Sequence, residues 1–199
     1  MTTTFLLVRH AAHDRIGSFL AGRIGDVPLG SAGREQAQRL AARLAREDIG
    51  SIYASPRKRT QETAAAIAAA AEIPALATAE ELDEVDFGTW SGKTFEVLNT
   101  DPHWRQWNSI RSLVRAPGGE TMLDVQRRIM ELVAALARGS SDRKIVLVSH
   151  ADVIKALICH VLGLSVDAWP RFDIAPASVS AVVVGDWGAK VLTLNEGVS

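Results

Sequence analysis

The sequence has a single cysteine, Cys159, so no intrachain disulfide can form and a reducing compartment is the natural expectation. Charge of either sign is not in excess: 22 Lys and Arg face 23 Asp and Glu, for a formal net charge of −1. Bulk attraction to nucleic acid or to an anionic membrane is therefore not expected, and an anion site has to be built locally from a few converging cations. Long apolar runs are absent too. Phe5–Val8 is broken at once by Arg9, and Met1–Thr4 carries no basic side chain. Neither a signal peptide nor a spanning helix is expected, and a cytoplasmic location is the default. Internal repeats and linkers rich in Gly, Pro or Ser are missing as well. The expectation is one domain over residues 1–199, long enough to bury a core.

What is present is an alternation of two periods. Phe5–Val8, Ser51–Ala54 and Lys144–Val148 are short continuous apolar runs, the pattern of buried central strands. Between them lie helical patterns. Arg34 to Asp48 carries Ala37, Leu40, Ala41 and Leu44 on one stripe, and a helix is predicted from an N-cap at Ser55 with Pro56 in its first position to about Ala71. Further helices are expected over Leu123–Leu136, with Leu123, Val125, Ile129, Leu132 and Val133 as its core face, and over Asp152–Leu162. Ser180–Val184 and Lys190–Leu194 flank a turn-rich stretch and predict a hairpin. Trp90, Trp169 and Trp187 are expected as core anchors. The predicted class is α/β: a three-layer α/β/α sandwich with a mostly parallel central sheet and an antiparallel edge hairpin.

In such sheets ligands bind beyond the carboxyl ends of the strands. Three junctions then matter: Arg9-His10, Ser55 to Arg59, and Ser149-His150. They bring two guanidiniums and two imidazoles to one rim, a set suited to a compact oxyanion, because a guanidinium fork donates two parallel hydrogen bonds to phosphate. Position alone does not separate Arg59 from Arg57 and Lys58. A neutral imidazole can attack phosphorus and carry the phosphoryl group. Its second ring nitrogen then needs an acceptor, and a backbone carbonyl is the expected one. An acid is needed for the leaving oxygen, and the run Glu80 to Asp86 offers five carboxylates. His10 and His13 have a spacing that a metal site uses, yet the arginines beside them argue for an anion, and no metal or other cofactor is expected.

The same residues carry a resemblance. Leu7-Val8-Arg9-His10 is followed by Gly22-Arg23 with Asp26 to Leu29, by Tyr53 to Thr60, by Leu82-Asp83-Glu84 with Phe87-Gly88 and Trp90 to Gly92, by Pro117 to Glu120, and by Val148-Ser149-His150. In that order these blocks resemble the histidine phosphatase superfamily, in the phosphoglycerate mutase-like branch with its small phosphatases. The resemblance implies that His10 is the nucleophile, Glu84 the acid and base, and Arg9, Arg59, His10 and His150 the phosphate pocket, with His150 also counted among the catalytic groups. Two departures stand out. Ala11-Ala12-His13-Asp14 and Ile16 replace the small and polar residues that follow the family's histidine. Ala151-Asp152 replaces a common Gly pair after His150. His13 and Arg15, with Arg23 and with Trp104 from an insert at 93–116 that covers the site, are expected to meet the leaving group. The mutases' adjacent arginine pair is missing, since Arg105 and Arg111 stand apart. The expected activity is thus metal-independent hydrolysis of a small phosphorylated metabolite, with no nucleic acid or membrane partner. Mutase-type transfer and a non-catalytic phospho-ligand binder are the alternatives. A homodimer is an expectation from the terminal hairpin, whose edge can pair with a second copy.

Overall fold

A computed structural model describes residues 2–139 and 144–197. The sheet is ordered β3-β2-β4-β1-β5-β6. Its strands are β1 (Thr2–Arg9), β2 (Ile49–Ala54), β3 (Leu76–Thr78), β4 (Lys144–Ser149), β5 (Val179–Gly185) and β6 (Gly188–Glu196). The first four are mutually parallel, while β5 runs antiparallel to β1 and β6 antiparallel to β5. The fold is the α/β sandwich with a mostly parallel sheet and an antiparallel edge.

Period-two alternation on the central strands explains the three layers. Phe5 and Leu7 of β1, with Ile145 and Leu147 of β4, point into one core. Leu6 and Val8, with Val146 and Val148, point into the other. The second core is closed by α1 (Ser31–Leu44) and α2 (Lys58–Ala70) through Ala37, Leu40, Leu44, Ala64 and Ile67. The first is closed by α5 (Met122–Gly139) and α6 (Ala151–Val161), and by α3 (Phe95–Thr100) and α4 (Pro102–Ser109), which bring an aromatic group of Trp104 and Trp107.

Several expected boundaries shift, each for a local reason. The helix expected from Pro56 begins at Lys58, because the Ser55 N–H still bonds to Val148 O at 3.0 Å and extends the strand ladder. Helix α1 spans Ser31–Leu44 rather than Arg34 to Asp48. In α5 a reciprocal cap at Thr121 and Asp124 starts the helix at Met122, so Met122, Val125, Ile129 and Val133 form the buried stripe and Leu123 turns outward at 48% exposure. Trp187 is not a core anchor: it sits at the β5–β6 turn, 60% exposed. Trp90 is buried, and Trp169 is half-buried. Among the described residues, no helix is long and apolar enough to cross a membrane.

Candidate active site

Because β1, β2 and β4 are parallel, their carboxyl ends share one sheet edge. The chain leaves β1 at Arg9-His10, β2 at Ala54-Ser55, and β4 at Ser149-His150, where His150 caps α6. The His10 N–H bonds to Ser149 O at 3.0 Å, which locks the first and third junctions together. Helix α2 is tied to them by Thr63, whose Oγ1 accepts the Ala11 N–H at 3.1 Å. These three junctions carry Arg9, His10 and Arg59 to one open cavity of about 620 Å³, lined also by His13, Phe19, Glu84, Phe95 and Asp152. His150, expected in the phosphate pocket, does not line it; the ring is fully buried, 3.1 Å from Arg59 Nη2.

The hydrogen bonds assign the imidazole protons. His10 Nδ1 lies 2.8 Å from Ala11 O, which can only accept, so the ring donates from Nδ1 and leaves Nε2 unprotonated. Arg59 Nε donates to that Nε2 at 3.3 Å. His150 has the opposite tautomer. Its Nδ1 faces Arg59 Nη2, a pure donor, at 3.1 Å, so Nε2 carries the proton and gives it to Ser55 Oγ at 2.8 Å. Ser55 passes its own proton to Asp83 Oδ1 at 3.2 Å. Burial, reinforced by Arg59, holds the pKa of both His10 and His150 well below the ordinary imidazole value, so both rings are neutral at physiological pH. His13 is likewise neutral, its pKa lowered by burial and then by Arg59 to about 4.

Arg59 is the best-buried cation of the chain's helices at 1% exposure. Its Nη2 is anchored on Gly22 O at 3.0 Å, while its Nη1 and the Nε of Arg9 are buried with no hydrogen-bond partner. Leaving such donors unpaired costs roughly 1–3 kcal/mol each, an expense that a bound oxyanion would offset. Arg57 and Lys58 do not compete for this place: Arg57 pairs with Asp83 at 2.9 Å, and Lys58 lies outside, 3.9 Å from Asp26.

Among the carboxylates of the acidic run, Glu84 is the one that faces the cavity. Its Oε2 lies 3.5 Å from His150 Nδ1 and 3.9 Å from Arg59 Nη2. Its position is braced from behind, since Glu84 O accepts from Arg23 Nε at 2.8 Å and from Arg128 Nη2 at 3.2 Å, and both arginines are held by Glu120. Burial first, and Asp152 second, raise the Glu84 pKa to about 7 against the opposing pull of Arg59 and Arg9. The group can therefore give and regain a proton near neutrality.

Of the residues expected to meet the leaving group, His13 lines the cavity and the other three do not. The Arg15 guanidinium lies over the Phe19 ring, 3.9 Å from its centroid. Arg23 is committed to Asp83 and Glu120. Trp104 is buried at 7% exposure among Phe87, Trp90 and Trp107; Phe95 of the same insert reaches the cavity instead. Sequence reasoning missed the Ser55–Asp83 relay, although Ser55 stood in the second junction, and it missed that Asp152 is bound to Arg111 at 2.9 Å. Among the described residues no group of three or more His, Cys, Asp and Glu is arranged to hold a metal ion.

A neutral imidazole with one nitrogen unprotonated, two guanidiniums with open donors and a carboxyl that titrates near neutrality together define a phosphoryl-handling α/β protein. The chain belongs to the histidine phosphatase superfamily, branch 1, whose family model matches residues 5–197. It is 31% identical over 194 residues to phosphoserine phosphatase 1 of Hydrogenobacter thermophilus, an alignment covering 96% of this chain and 90% of that one. It is 35% identical over 176 residues to glucosyl-3-phosphoglycerate phosphatase of Mycolicibacterium vanbaalenii, covering 83% and 76%. Among solved structures, YhfR of Bacillus stearothermophilus superposes with a TM-score of 0.91 at 26% identity, covering 98% of this chain and 97% of that one. The mycobacterial glucosyl-3-phosphoglycerate phosphatase in complex with VO3 does so with a TM-score of 0.86 at 29% identity, covering 98% and 100%.

Proposed function

We propose that the protein is a phosphomonoesterase that hydrolyses a small phosphorylated metabolite through a phosphohistidine on His10. The observation that carries this reading is the unprotonated Nε2 of a buried, neutral His10, which accepts from Arg59 Nε while the Nδ1–H is held on Ala11 O. In the first step Nε2 attacks phosphorus and the bond to the leaving oxygen breaks. Arg9 and Arg59 neutralise charge on the equatorial oxygens, the largest source of acceleration in phosphoryl transfer. The Glu84 carboxyl, protonated in a good fraction of molecules near neutrality, supplies the proton that the leaving oxygen takes. In the second step the Glu84 carboxylate takes a proton from water, the water oxygen attacks phosphorus, and Nε2 is released. His150, neutral and aligned by Ser55, keeps Arg59 and Glu84 in register. The wall contributed by residues 93–116 covers the leaving-group side through Phe95. A cytoplasmic placement goes with the single cysteine and with a phosphorylated metabolite as substrate.

The test is hydrolysis of p-nitrophenyl phosphate between about pH 5 and pH 8, bracketing the histidine and carboxyl titrations, by the parent and His10→Ala, with and without excess chelator. Chelator-resistant release that disappears in His10→Ala is the expected result. No release from folded parent protein would sink the broad phosphatase reading in favour of a mutase or a phospho-ligand binder, and release that the chelator abolishes would require a metal.

A further inference from the structure

Phosphate chemistry accounts for Arg9, Arg59, Glu84 and the two buried histidines, and it leaves a second buried cation unused. Arg111 is 4% exposed. Its guanidinium lies 4.0 Å from the centroid of the Trp107 ring and 3.6 Å from that of Trp169, a cation pressed between two indoles. Its Nη2 donates to Asn108 Oδ1 at 2.9 Å and its Nη1 to Asp152 Oδ1 at 2.9 Å. The guanidinium is thereby immobile, and it fixes the Asp152 carboxylate in turn.

Asp152 lines the cavity beside Arg9, His10 and Glu84, with its side chain 22% exposed. Among the described residues, no hydrogen bond is given to its Oδ2. For a site that binds a phosphate dianion, a carboxylate in the wall works against the main task. Its position in the first turn of α6 lowers that cost but does not explain it. Much of the rest of the lining is apolar, with Ile16, Phe19, Leu20, Phe87 and Phe95 beside the neutral His13. Once the phosphoryl group occupies Arg9 and Arg59, the remainder of the cavity offers a leaving group the Glu84 carboxyl, which gives it a proton, and the Asp152 carboxylate, and no further lining guanidinium or ammonium.

We propose that Asp152, clamped by Arg111, is a specificity determinant that selects phosphomonoesters whose leaving group carries an ammonium and disfavours those whose leaving group carries a carboxylate. The inference rests on the phosphatase reading and names the substrate class of the same site. The free Oδ2 accepts the ammonium hydrogen bond, a charge-assisted contact. A carboxylate in the same place meets like charge and finds no donor for its acceptor oxygens, which is how a site rejects a near-isostere.

Three esters of matched size separate the possibilities: 2-aminoethyl phosphate, propyl phosphate and carboxymethyl phosphate. The parent is expected to show kcat/KM in that descending order, with at least about a tenfold step between the first and the last, the scale of one charged hydrogen bond. In Asp152→Asn the preference for the ammonium over the propyl ester should collapse. The carboxymethyl ester should rise relative to propyl, because the clamped Arg111 is no longer neutralised. The reading is a ratio within each protein, so a general loss of rate in the variant does not obscure it, and the order in the parent tests the proposal without any variant. If the parent hydrolyses p-nitrophenyl phosphate but ranks the three esters alike, or if Asp152→Asn scales all three together, Asp152 is merely the structural partner of Arg111 and the inference fails. If the parent hydrolyses no ester at all, p-nitrophenyl phosphate included, the phosphatase reading fails first and takes this inference with it.

Discussion

Two residues of the site, His10 and Glu84, are tuned in opposite directions by one environment. Burial withholds a proton from the His10 ring and retains one on the Glu84 carboxyl. The pH dependence follows. The competent enzyme has neutral His10 and protonated Glu84, so kcat/KM for an alkyl phosphate should fall as pH rises through about 7, where Glu84 ionises. The acid limb belongs to the substrate, whose second ionisation lies near pH 6. Glu84→Gln should remove the alkaline limb and lower steady-state turnover by about 10²–10⁴. p-Nitrophenolate leaves without needing a proton, however, so this variant should release one equivalent in a rapid burst and then stall at the phosphohistidine. A stopped-flow trace without a burst and with unchanged turnover would remove Glu84 from the proton path. At this scale the sequence was informative about residue type and weaker about choice. Arg57, Lys58 and Arg59 are equivalent cations until the helix starts at Lys58 and turns Arg59 inward, and only the resemblance favoured Glu84 over its acidic neighbours. The Arg111–Asp152 contact was not legible at all. It joins residues 41 positions apart, and nothing in local periodicity orients a side chain across that gap.

At the scale of elements, the site is a set of junctions whose backbones are pressed together. Helix α1 touches the loop after β1 at Gly33, where a Cβ would stand 1.7 Å from Ala12 O. Gly33→Ala must therefore push Ala12 away or tilt α1. It should cost about 1–3 kcal/mol by the usual scale of overpacking, read as a lowered urea midpoint. The same shift should depress activity, since Ala12 lies between His10 and His13; a variant with parent stability and parent activity would show that the loop yields freely. The short apolar runs identified β1, β2 and β4 because buried parallel strands need no alternation, and the hairpin was legible from its turn. Strand ends were less so. Ser55-Pro56 has the chemistry of a helix start, but the ladder bond from Ser55 to Val148 overrides it. In 93–116, Trp104 was expected to meet the leaving group, whereas Trp104 and Trp107 pack into the core with Trp90 and Phe95 is the insert's residue that reaches the cavity. Composition does not say which side of a short helix faces in.

For the whole molecule, binding and stability are linked through the buried donors of Arg9 and Arg59. A phosphate-like anion that binds only the native state should stabilise it by about 2.7 kcal/mol at a hundred times its Kd. For a chain of this size that corresponds to a rise in Tm of roughly 5–10 °C. Orthovanadate in differential scanning calorimetry should show this with the parent and little of it with Arg59→Lys, which loses the planar fork. An equal rise in both proteins would place the anion elsewhere. The layered architecture was legible from alternating periods; the strand order β3-β2-β4-β1-β5-β6 was not, because pairing between distant strands leaves no mark on either one.

The bond from His10 to Ala11 O has a further consequence. The two nitrogens of a histidine can each accept a phosphoryl group, giving two chemically distinct isomers. Here one nitrogen is already engaged by the peptide unit next to it, so the covalent intermediate is regiochemically single: only the Nε2 isomer forms. That choice is made by the main chain, and no exchange of the Ala11 side chain would remove the carbonyl that makes it.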